Sequence, residues 1–262
     1  MKKVQMNISI VVPCFNEEDN IEKLDAELFP VAESLIGSKL PGGDAVTSVE
    51  VIFVDDGSRD NTYHALETAF ASRSSQKLPI KFEKHEVNRG LGAAIRTGLQ
   101  ASTGDIILTT DSDGTYKFAT IPALLACFQH NVDVVTASPY HPDGEVVGVP
   151  GYRIFLSKGS SLLYRILLNW NIYTYTALFR GYRRRVVEQV QFEADDYLAG
   201  TEFMVKAMLK GFNVVEFPAA LHSRMFGVSK AKLWRTIKSH LRFQYRLLLH
   251  RLRLRSMFSS PA

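Results

Sequence analysis

Short apolar runs alternate with amphipathic segments along the first half of the chain, and polar clusters separate them. Runs of four to eight aliphatic and β-branched residues are typical of strands buried in a parallel sheet. Such strands are predicted at residues 8–13, 49–54, 80–84, 105–110 and 132–137. Segments with helical period are predicted between them, at 20–36, 61–73, from 88 onward, and at 118–130. Because such crossovers are right-handed, the pattern predicts an α/β fold with a mostly parallel sheet flanked by helices.

The alternation ends beyond Ser138, where a loop, an amphipathic helix near 153–170, short strands and a helix near 201–210 are predicted. A last helix follows, with apolar residues at spacings of three and four: Leu233, Ile237, Leu241, Tyr245, Leu248 and Leu252. Two units are therefore predicted, a main domain at 1–228 and a basic amphipathic helix at 229–262. This helix either lies on a membrane surface or packs on the core with a solvated basic face.

Composition places the chain among ordinary globular proteins, with 46% hydrophobic and 22% charged residues in 262. Its two cysteines, Cys14 and Cys127, are too few for a disulfide framework or a cysteine metal site. The pattern shows neither a signal-peptide core nor a membrane-spanning run. We therefore expect an intracellular, reduced protein.

Positive charge is concentrated at the C-terminal end. Ten of the 31 Lys and Arg residues follow Glu216, where no Asp or Glu occurs, so the other 21 accompany all 27 acids. Such asymmetry favours an anionic partner, either a membrane or a nucleic acid. Motifs for base stacking or groove reading are missing from the sequence. We therefore expect a peripheral membrane contact and no nucleic-acid partner.

Acidic residues follow three of the predicted strands. Glu17 comes after the first strand, Asp55 and Asp56 after the second, and Asp111 and Asp113 after the fourth. Ligands in α/β sheets bind at the carboxyl ends of the strands. Carboxylates gathered there repel one another unless a cation compensates them, and hard oxygen ligands suit Mg²⁺ or Mn²⁺. The pattern predicts a metal site for a phosphate-bearing substrate, with capping of turns as the simpler alternative for single acids.

Four stretches resemble, in order and spacing, the motifs of family 2 inverting glycosyltransferases. They are PCFNEE (13–18), DDGSRDNT (55–62), NRGLGAA (88–94) and DSD (111–113). The resemblance is greatest to the dolichol-phosphate (polyprenyl-phosphate) mannose synthase branch. It extends through RIFLSKGSSLL (153–163) and RMFGVSK (224–230), and so covers nearly the whole chain.

The resemblance implies a GT-A fold and roles for particular residues. The implied donor-binding residues are Pro13, Asn16, Glu17, Asp55, Asp56, Asp111, Arg224 and Lys230. Asp111 and Asp113 match the metal-binding pair, and Asp113 and Arg224 are expected to act in catalysis. The implied acceptor-binding residues are Arg153, Ser157 and Lys158, for which a snorkelling helix face is the alternative.

The implied activity is metal-dependent, inverting transfer of a hexose from GDP-mannose or a UDP-sugar to a polyprenyl or dolichyl phosphate. We expect it at the cytoplasmic face of a membrane. A phosphate acceptor needs no strong general base, whereas the alternative, a hydroxyl on a lipid or saccharide, needs one. Glu202 is the candidate base, and the alternative is a glutamate at a helix N-terminus that only interacts favourably with the helix dipole. A catalytically inactive subunit of the same fold is a further possibility, against which the intact Asp111 and Asp113 pair argues.

Two stretches depart from the mannose synthase pattern. Gly114 and Thr115 stand where those enzymes commonly continue with Leu-Gln, and Pro139 stands where they often have arginine. Neither the sugar nor the acceptor follows from the sequence.

The glycines at 90 and 92 are followed by Ile95 at the third glycine position of a dinucleotide fingerprint, so that motif is excluded. They predict close packing at a helix start.

Overall fold

A central sheet organises the molecule, for which a computed structural model describes residues 5–223 and 233–258. Arg224, Lys230 and the segment around them, all with predicted roles, lie outside the described residues. The strands are β1 (Gln5–Cys14), β2 (Ala45–Asp55), β3 (Ile80–Lys84), β4 (Ile106–Thr109), β5 (Val134–Ser138), β6 (Glu145–Val147), β7 (Arg180–Arg183), β8 (Val214–Pro218) and β9 (Ala220–His222).

Seven of these strands form one sheet in the order β3-β2-β1-β4-β7-β5-β8, and β6 pairs with β9 separately. All neighbours in the large sheet run parallel except β7, which is antiparallel to both β4 and β5. The predicted mostly parallel α/β sheet is confirmed. The antiparallel strand was not individually predicted, because its sequence RGYR lacks an apolar run.

The described helices flank this sheet. They are α1 (Ile21–Lys23), α2 (Phe29–Leu35), α3 (Thr62–Phe70), α4 (Leu91–Ala101), α5 (Ile121–Ala126), α6 (Gly151–Leu167), α7 (Arg184–Gln189), α8 (Ala199–Leu209) and α9 (Leu233–Arg251). The helix predicted at 20–36 is a run of turns in which a π-helical segment, Leu24–Leu28, joins α1 to α2. Among the described helices, none has the length and apolar character needed to cross a bilayer.

Apolar side chains cover both faces of the sheet, which explains the near-continuous apolar runs of its parallel strands. On one face Phe70 packs between Phe29 and Phe53, with ring centroids 4.5 and 5.3 Å away. On the other face Phe203 of α8 packs 4.7 Å from Tyr182 of β7. Each fully buried aromatic ring contributes roughly 1.5–3 kcal/mol.

Strand register brings the predicted acidic turns to one edge of the sheet. Cys14 of β1 pairs with Asp55 of β2, and Val11 of β1 pairs with Thr109 of β4. Since all three strands are parallel, the chain leaves them on the same side. The turns that carry Glu17, Asp56 and Asp111 therefore border one cavity.

Helix α9 packs against α6 through one side only. Phe243 and Leu247 are buried, and the Phe243 ring lies 6.2 Å from that of Tyr164 on α6. The apolar stripe predicted from the sequence does not make this contact. Leu241, Tyr245, Leu248 and Leu252 of that stripe are exposed. The helix is therefore packed on the core and still presents an uncovered apolar side.

Candidate active site

A cavity of about 680 Å³ lies at the carboxyl ends of β1, β2 and β4. Residues from the strand ends, the glycine-rich helix start, the loop before α8 and α9 contribute its walls. They include Pro13, Glu17, Asp56, Asn88, Gly90, Asp111, Ser112, Glu193, Asp196, Glu202, Arg235, Arg242 and Arg246. Of the residues predicted to bind donor or metal, Pro13, Glu17, Asp56 and Asp111 thus meet at one site.

Asn16 joins the turns after β1 and β2. Its backbone has a φ of 51°, a left-handed conformation that asparagine tolerates better than most residues. Its N–H donates to Ser58 Oγ at 2.8 Å, and its side-chain oxygen accepts from the N–H of Arg59 at 2.7 Å. The next residue, Glu17, donates its N–H to Thr62 Oγ1 at 2.8 Å. These bonds position Glu17 at the cavity wall.

Asp55 and Asp56 have different surroundings. Asp55 is buried, and its carboxylate accepts the N–H of Ser58 at 3.3 Å. Asp56 lines the cavity, but it accepts from Asn88 Nδ2 at 2.9 Å and from the Gly90 N–H at 2.7 Å, and contacts His85 Nδ1 at 2.7 Å. Asp56 therefore holds the loop before α4 in place. A contact between Asp55 and the nucleoside stays a prediction.

The glycines at the start of α4 pack against the loop before α8. The N–H of Gly92 donates to the carbonyl of Asp195 at 2.8 Å. A Cβ atom at Gly92 would lie 2.2 Å from the carbonyl oxygen of Ala194, and one at Gly90 would lie 2.3 Å from that of Asp195. The expected close packing at this helix start is confirmed.

Thr115 connects the two acids of the predicted metal site. Its N–H donates to Asp113 Oδ1 at 3.0 Å, and its hydroxyl donates to Asp111 Oδ2 at 3.2 Å. The tight turn requires Gly114, which has a φ of +64°. Thr115, one of the positions where the sequence departs from the mannose synthase pattern, is thus hydrogen-bonded to both carboxylates.

The chemistry of this pair fits a divalent cation. Asp111 lines the cavity, Asp113 is buried beside it, and both offer hard oxygen atoms. Within the described parts of the chain, no group of three or more His, Cys, Asp or Glu side chains is arranged to hold a metal. The pair would therefore hold a cation of the Mg²⁺ type together with water and substrate phosphate oxygens, as is common for that ion.

Glu202, the predicted base, is buried in α8 at the cavity wall. Its Oε2 accepts from the N–H of Ala194 at 2.8 Å and from that of Glu193 at 3.2 Å. Its Oε1 lies 2.6 Å from Nζ of Lys206. The carboxylate thus holds the loop before α8, and proton abstraction would compete with these contacts.

Arg180 of β7 fixes the start of α8 from beneath. It is fully buried, its Nε donates to Thr136 Oγ1 at 2.8 Å, and its guanidinium also donates to the carbonyls of Gly200 and Tyr175. This residue positions the turn that carries Glu202. It was not singled out from the sequence, because an arginine in a polar stretch is usually predicted to be exposed.

The three predicted acceptor residues lie together on α6 but apart from the described cavity walls. Ser157 Oγ lies 2.6 Å from Thr176 Oγ1, and Lys158 Nζ lies 5.3 Å from the ring centre of Tyr140. Arg153 Nε donates to the hydroxyl of its neighbour Tyr152 at 3.1 Å. Their role in acceptor binding stays a prediction.

Tyr116 is buried near Asp111 and Tyr140. Burial raises the pKa of its phenol far above the ordinary value, and the charge of Asp111 and the nearby Tyr140 raise it further. The phenol therefore stays protonated at every physiological pH. Its hydroxyl is thus a neutral group near Asp111.

Helix α9 contributes a wall of the cavity, a position that was not predicted from the sequence. Arg235, Arg242 and Arg246, here called the arginine face, line the cavity, and Ser239 between them donates to Asp196 Oδ2 at 2.5 Å. Their spacing of i, i+7 and i+11 places them on one side of a helix. That spacing is visible in the sequence, but only the tertiary structure shows that the three arginines face the cavity.

Residues 9–191 match the model of glycosyl transferase family 2, and the chain belongs to that family. It is 31% identical over 245 residues to the dolichol-phosphate mannosyltransferase of Pyrococcus furiosus, covering 93% of this chain and 64% of that protein. It therefore spans just under two thirds of the length of that relative. It is 29% identical over 227 residues to the polyprenol monophosphomannose synthase of Mycolicibacterium smegmatis, covering 84% and 79% of the two chains.

Solved structures share the fold. Glucosyl-3-phosphoglycerate synthase from Mycobacterium tuberculosis, in complex with Mn²⁺, UDP and glucosyl-3-phosphoglycerate, superposes with a TM-score of 0.64 at 19% identity, over 96% of this chain and 82% of that one. Its complex with Mn²⁺ and UDP-glucose gives 0.65 at 18% identity, over 96% and 81%. The GT-A-like fold implied by the sequence resemblance is confirmed.

Proposed function

We propose that this chain transfers a hexose, with inversion, from a nucleotide sugar to a polyprenyl phosphate in a metal-dependent reaction. The observation that carries the proposal is the meeting of Glu17, Asp56 and Asp111 around one cavity at the carboxyl edge of a GT-A-like sheet. The relatives named as dolichol-phosphate and polyprenol-phosphate mannose transferases support this acceptor class.

Asp111 and Asp113 would hold Mg²⁺ or Mn²⁺. Bound there, the ion supplies Lewis-acid stabilisation of the charge on the departing nucleoside diphosphate. Structural neighbours that contain Mn²⁺ together with UDP or UDP-glucose support this assignment. Thr115 orients both carboxylates through its N–H and its hydroxyl, so the protein holds the two oxygen ligands before the substrate arrives.

The acceptor assignment agrees with the state of Glu202. A phosphate monoester is already anionic and attacks without losing a proton, whereas a hydroxyl acceptor needs a base. Glu202 accepts from two backbone amides and Lys206, which favours a positioning role over proton abstraction. Arg153, Ser157 and Lys158 are the proposed contacts for the acceptor phosphate. Transfer to a hydroxyl is the second candidate, and Glu202→Gln would then abolish turnover.

A donor screen tests the proposal. Purified protein with Mn²⁺ and a polyprenyl phosphate is supplied in turn with radiolabelled GDP-mannose, UDP-glucose and other UDP-sugars. Label is expected in the lipid phase with one of these donors, and Asp111→Asn should remove it. Label that enters only a water-soluble product, or no product with any donor, would reject the proposal.

The proposed position is peripheral, on the cytoplasmic face of a membrane, and the exposed apolar side of α9 supports the membrane contact. Trp234 is 83% exposed and Tyr245 62%, while Phe155 on the neighbouring α6 is 77% exposed. Arginines and lysines flank these residues along a basic amphipathic helix, which suits an anionic bilayer surface. Because α9 also lines the cavity, removing it would disturb both regions. Substitutions confined to the apolar side are the cleaner test.

Trp234→Ser with Tyr245→Ser is therefore expected to reduce sedimentation with phosphatidylglycerol vesicles while leaving nucleotide binding unchanged. The matched control is His64→Ser on α3, an exposed ring on another helix. Unchanged sedimentation of the double variant would refute the membrane role.

A further inference from the structure

The arginine face of α9 places three positive charges along the cavity. With a rise of about 1.5 Å per residue, Arg235 and Arg246 are separated by roughly 16 Å along the helix axis. Arg242 lies between them, and all three are on the side of α9 that lines the cavity. The Phe243 and Leu247 side faces the core, and the Trp234 and Tyr245 side is uncovered. The cationic side is thus a distinct surface.

The nearby carboxylates are engaged by other groups. Asp195 pairs with Arg96 at 3.0 Å, Asp196 accepts from Ser239 at 2.5 Å, and Glu193 lies 3.6 Å from Lys206. Across residues 5–223 and 233–258, no ion pair joins a carboxylate to the arginine face. Three like charges on one helix side repel one another, and a bound anion would relieve that repulsion.

The chemistry of the face selects the kind of anion. Guanidinium groups bind phosphate oxygens through two parallel hydrogen bonds, and Arg is the preferred residue for such recognition. The cavity is also lined by Glu17 and Asp111, so a phosphate entering it needs positive charge from other lining groups. The arginine face supplies this charge on the same helix whose apolar side is exposed.

We propose that the arginine face of α9 binds phosphate groups and forms a second, cationic wall of the active-site cavity. The phosphate comes either from the nucleotide donor or from a lipid, and both present the same anionic oxygens. The inference rests on the proposed function only in placing a phosphate-bearing substrate in this cavity. It makes α9 part of the binding machinery in addition to any attachment it provides.

The test uses Arg242→Gln with Arg246→Gln in the full chain. The matched control is Arg251→Gln, an exposed arginine on the same helix that is not among the described cavity walls. One arm measures GDP and UDP binding with Mn²⁺ by calorimetry. A second arm measures binding to phosphatidylcholine vesicles carrying either a polyprenyl phosphate or phosphatidylglycerol. Arg242→Lys with Arg246→Lys keeps the charge and should restore part of the binding.

Affinity in at least one arm is expected to fall tenfold or more in the double Gln variant and to stay within twofold in the control, since each lost contact is charge-assisted. Loss in the nucleotide arm identifies the donor as the source of the phosphate, and loss in the vesicle arm identifies a lipid. Equal binding of the double variant and the control in both arms would overturn the inference. If binding is equal in this way and the wild-type protein still catalyses transfer, the proposed function stands although the inference fails. If the wild-type protein shows no turnover, and the double Gln variant loses affinity only for vesicles, the proposed function is rejected and the phosphate site is retained.

Discussion

Acidification is expected to weaken the docking of α9, because His240 has to remain neutral where it is packed. The ring is 6% exposed, and its Nδ1 lies 3.1 Å from the hydroxyl of Tyr164 on α6. Burial lowers the pKa of His240 from 6.5 to about 4, and the charge of Asp196 opposes that effect only in part. Tyr164 stays neutral throughout, since burial raises its pKa far above the usual value.

The sign and size of the effect follow from proton linkage. The unfolded chain binds a proton at this histidine near its ordinary pKa, whereas the folded chain does so only near pH 4. Between these values the unfolded state holds more protons, so stability falls as the pH falls. Above about pH 7, protonation of His240 does not affect the free energy of unfolding. Protonation of this residue lowers that free energy by about 2 kcal/mol at pH 5 and about 3 kcal/mol at pH 4.

Urea unfolding, followed by circular dichroism at about pH 7 and about pH 5, measures this loss. His240→Gln removes the titrating group and should lower the pH sensitivity by about 2 kcal/mol relative to wild type. The control is His64→Gln on α3, where the ring is exposed and the wild-type sensitivity should remain. Equal pH sensitivity of wild type and His240→Gln would refute the reasoning, as would titration of His240 near its ordinary pKa by NMR.

Three further predictions concern the cavity. Asp113→Ala should lower turnover at least tenfold without unfolding the protein, through lost stabilisation of the leaving group, and near-normal turnover would contradict the mechanism. Thr115→Val keeps the N–H bond to Asp113 but loses the hydroxyl bond to Asp111. Calorimetry should show severalfold weaker Mn²⁺ binding in the presence of nucleotide, with Thr115→Ser as the control that restores it, and equal affinity of the two variants would argue against this role. Gly92→Ala would place its Cβ 2.2 Å from the Ala194 carbonyl oxygen and should cost about 1–3 kcal/mol in urea unfolding. Gly159→Ala, where no atom lies within 4 Å, should cost nothing, and equal stability of the two variants would be inconsistent with close packing at Gly92.

Local sequence determined the parallel strands and the acidic turns that follow them. The apolar run of β4 ends just before Asp111-Ser-Asp113, and its parallel neighbours fix its direction, so these carboxylates come at the carboxyl edge of the sheet. The glycines at 90 and 92 likewise indicated a close approach of backbone to backbone, although their partners, Ala194 and Asp195, lie about a hundred residues away. These features are local, because each depends on hydrophobic period or on backbone freedom within a few residues.

Long-range packing decided the rest. The position of β7 between β4 and β5, and the burial of Arg180 beneath α8, depend on groups distant in the chain that satisfy its donors. The same applies to α9, whose sequence offers an arginine side, an apolar side and a mixed side with His240 and Phe243. Periodicity identifies all three sides but cannot show which of them is buried. Burial depends on the shape and polarity of the surface that the helix packs against. Contact with α6 buries the mixed side and turns the arginines toward the cavity, leaving the apolar stripe exposed.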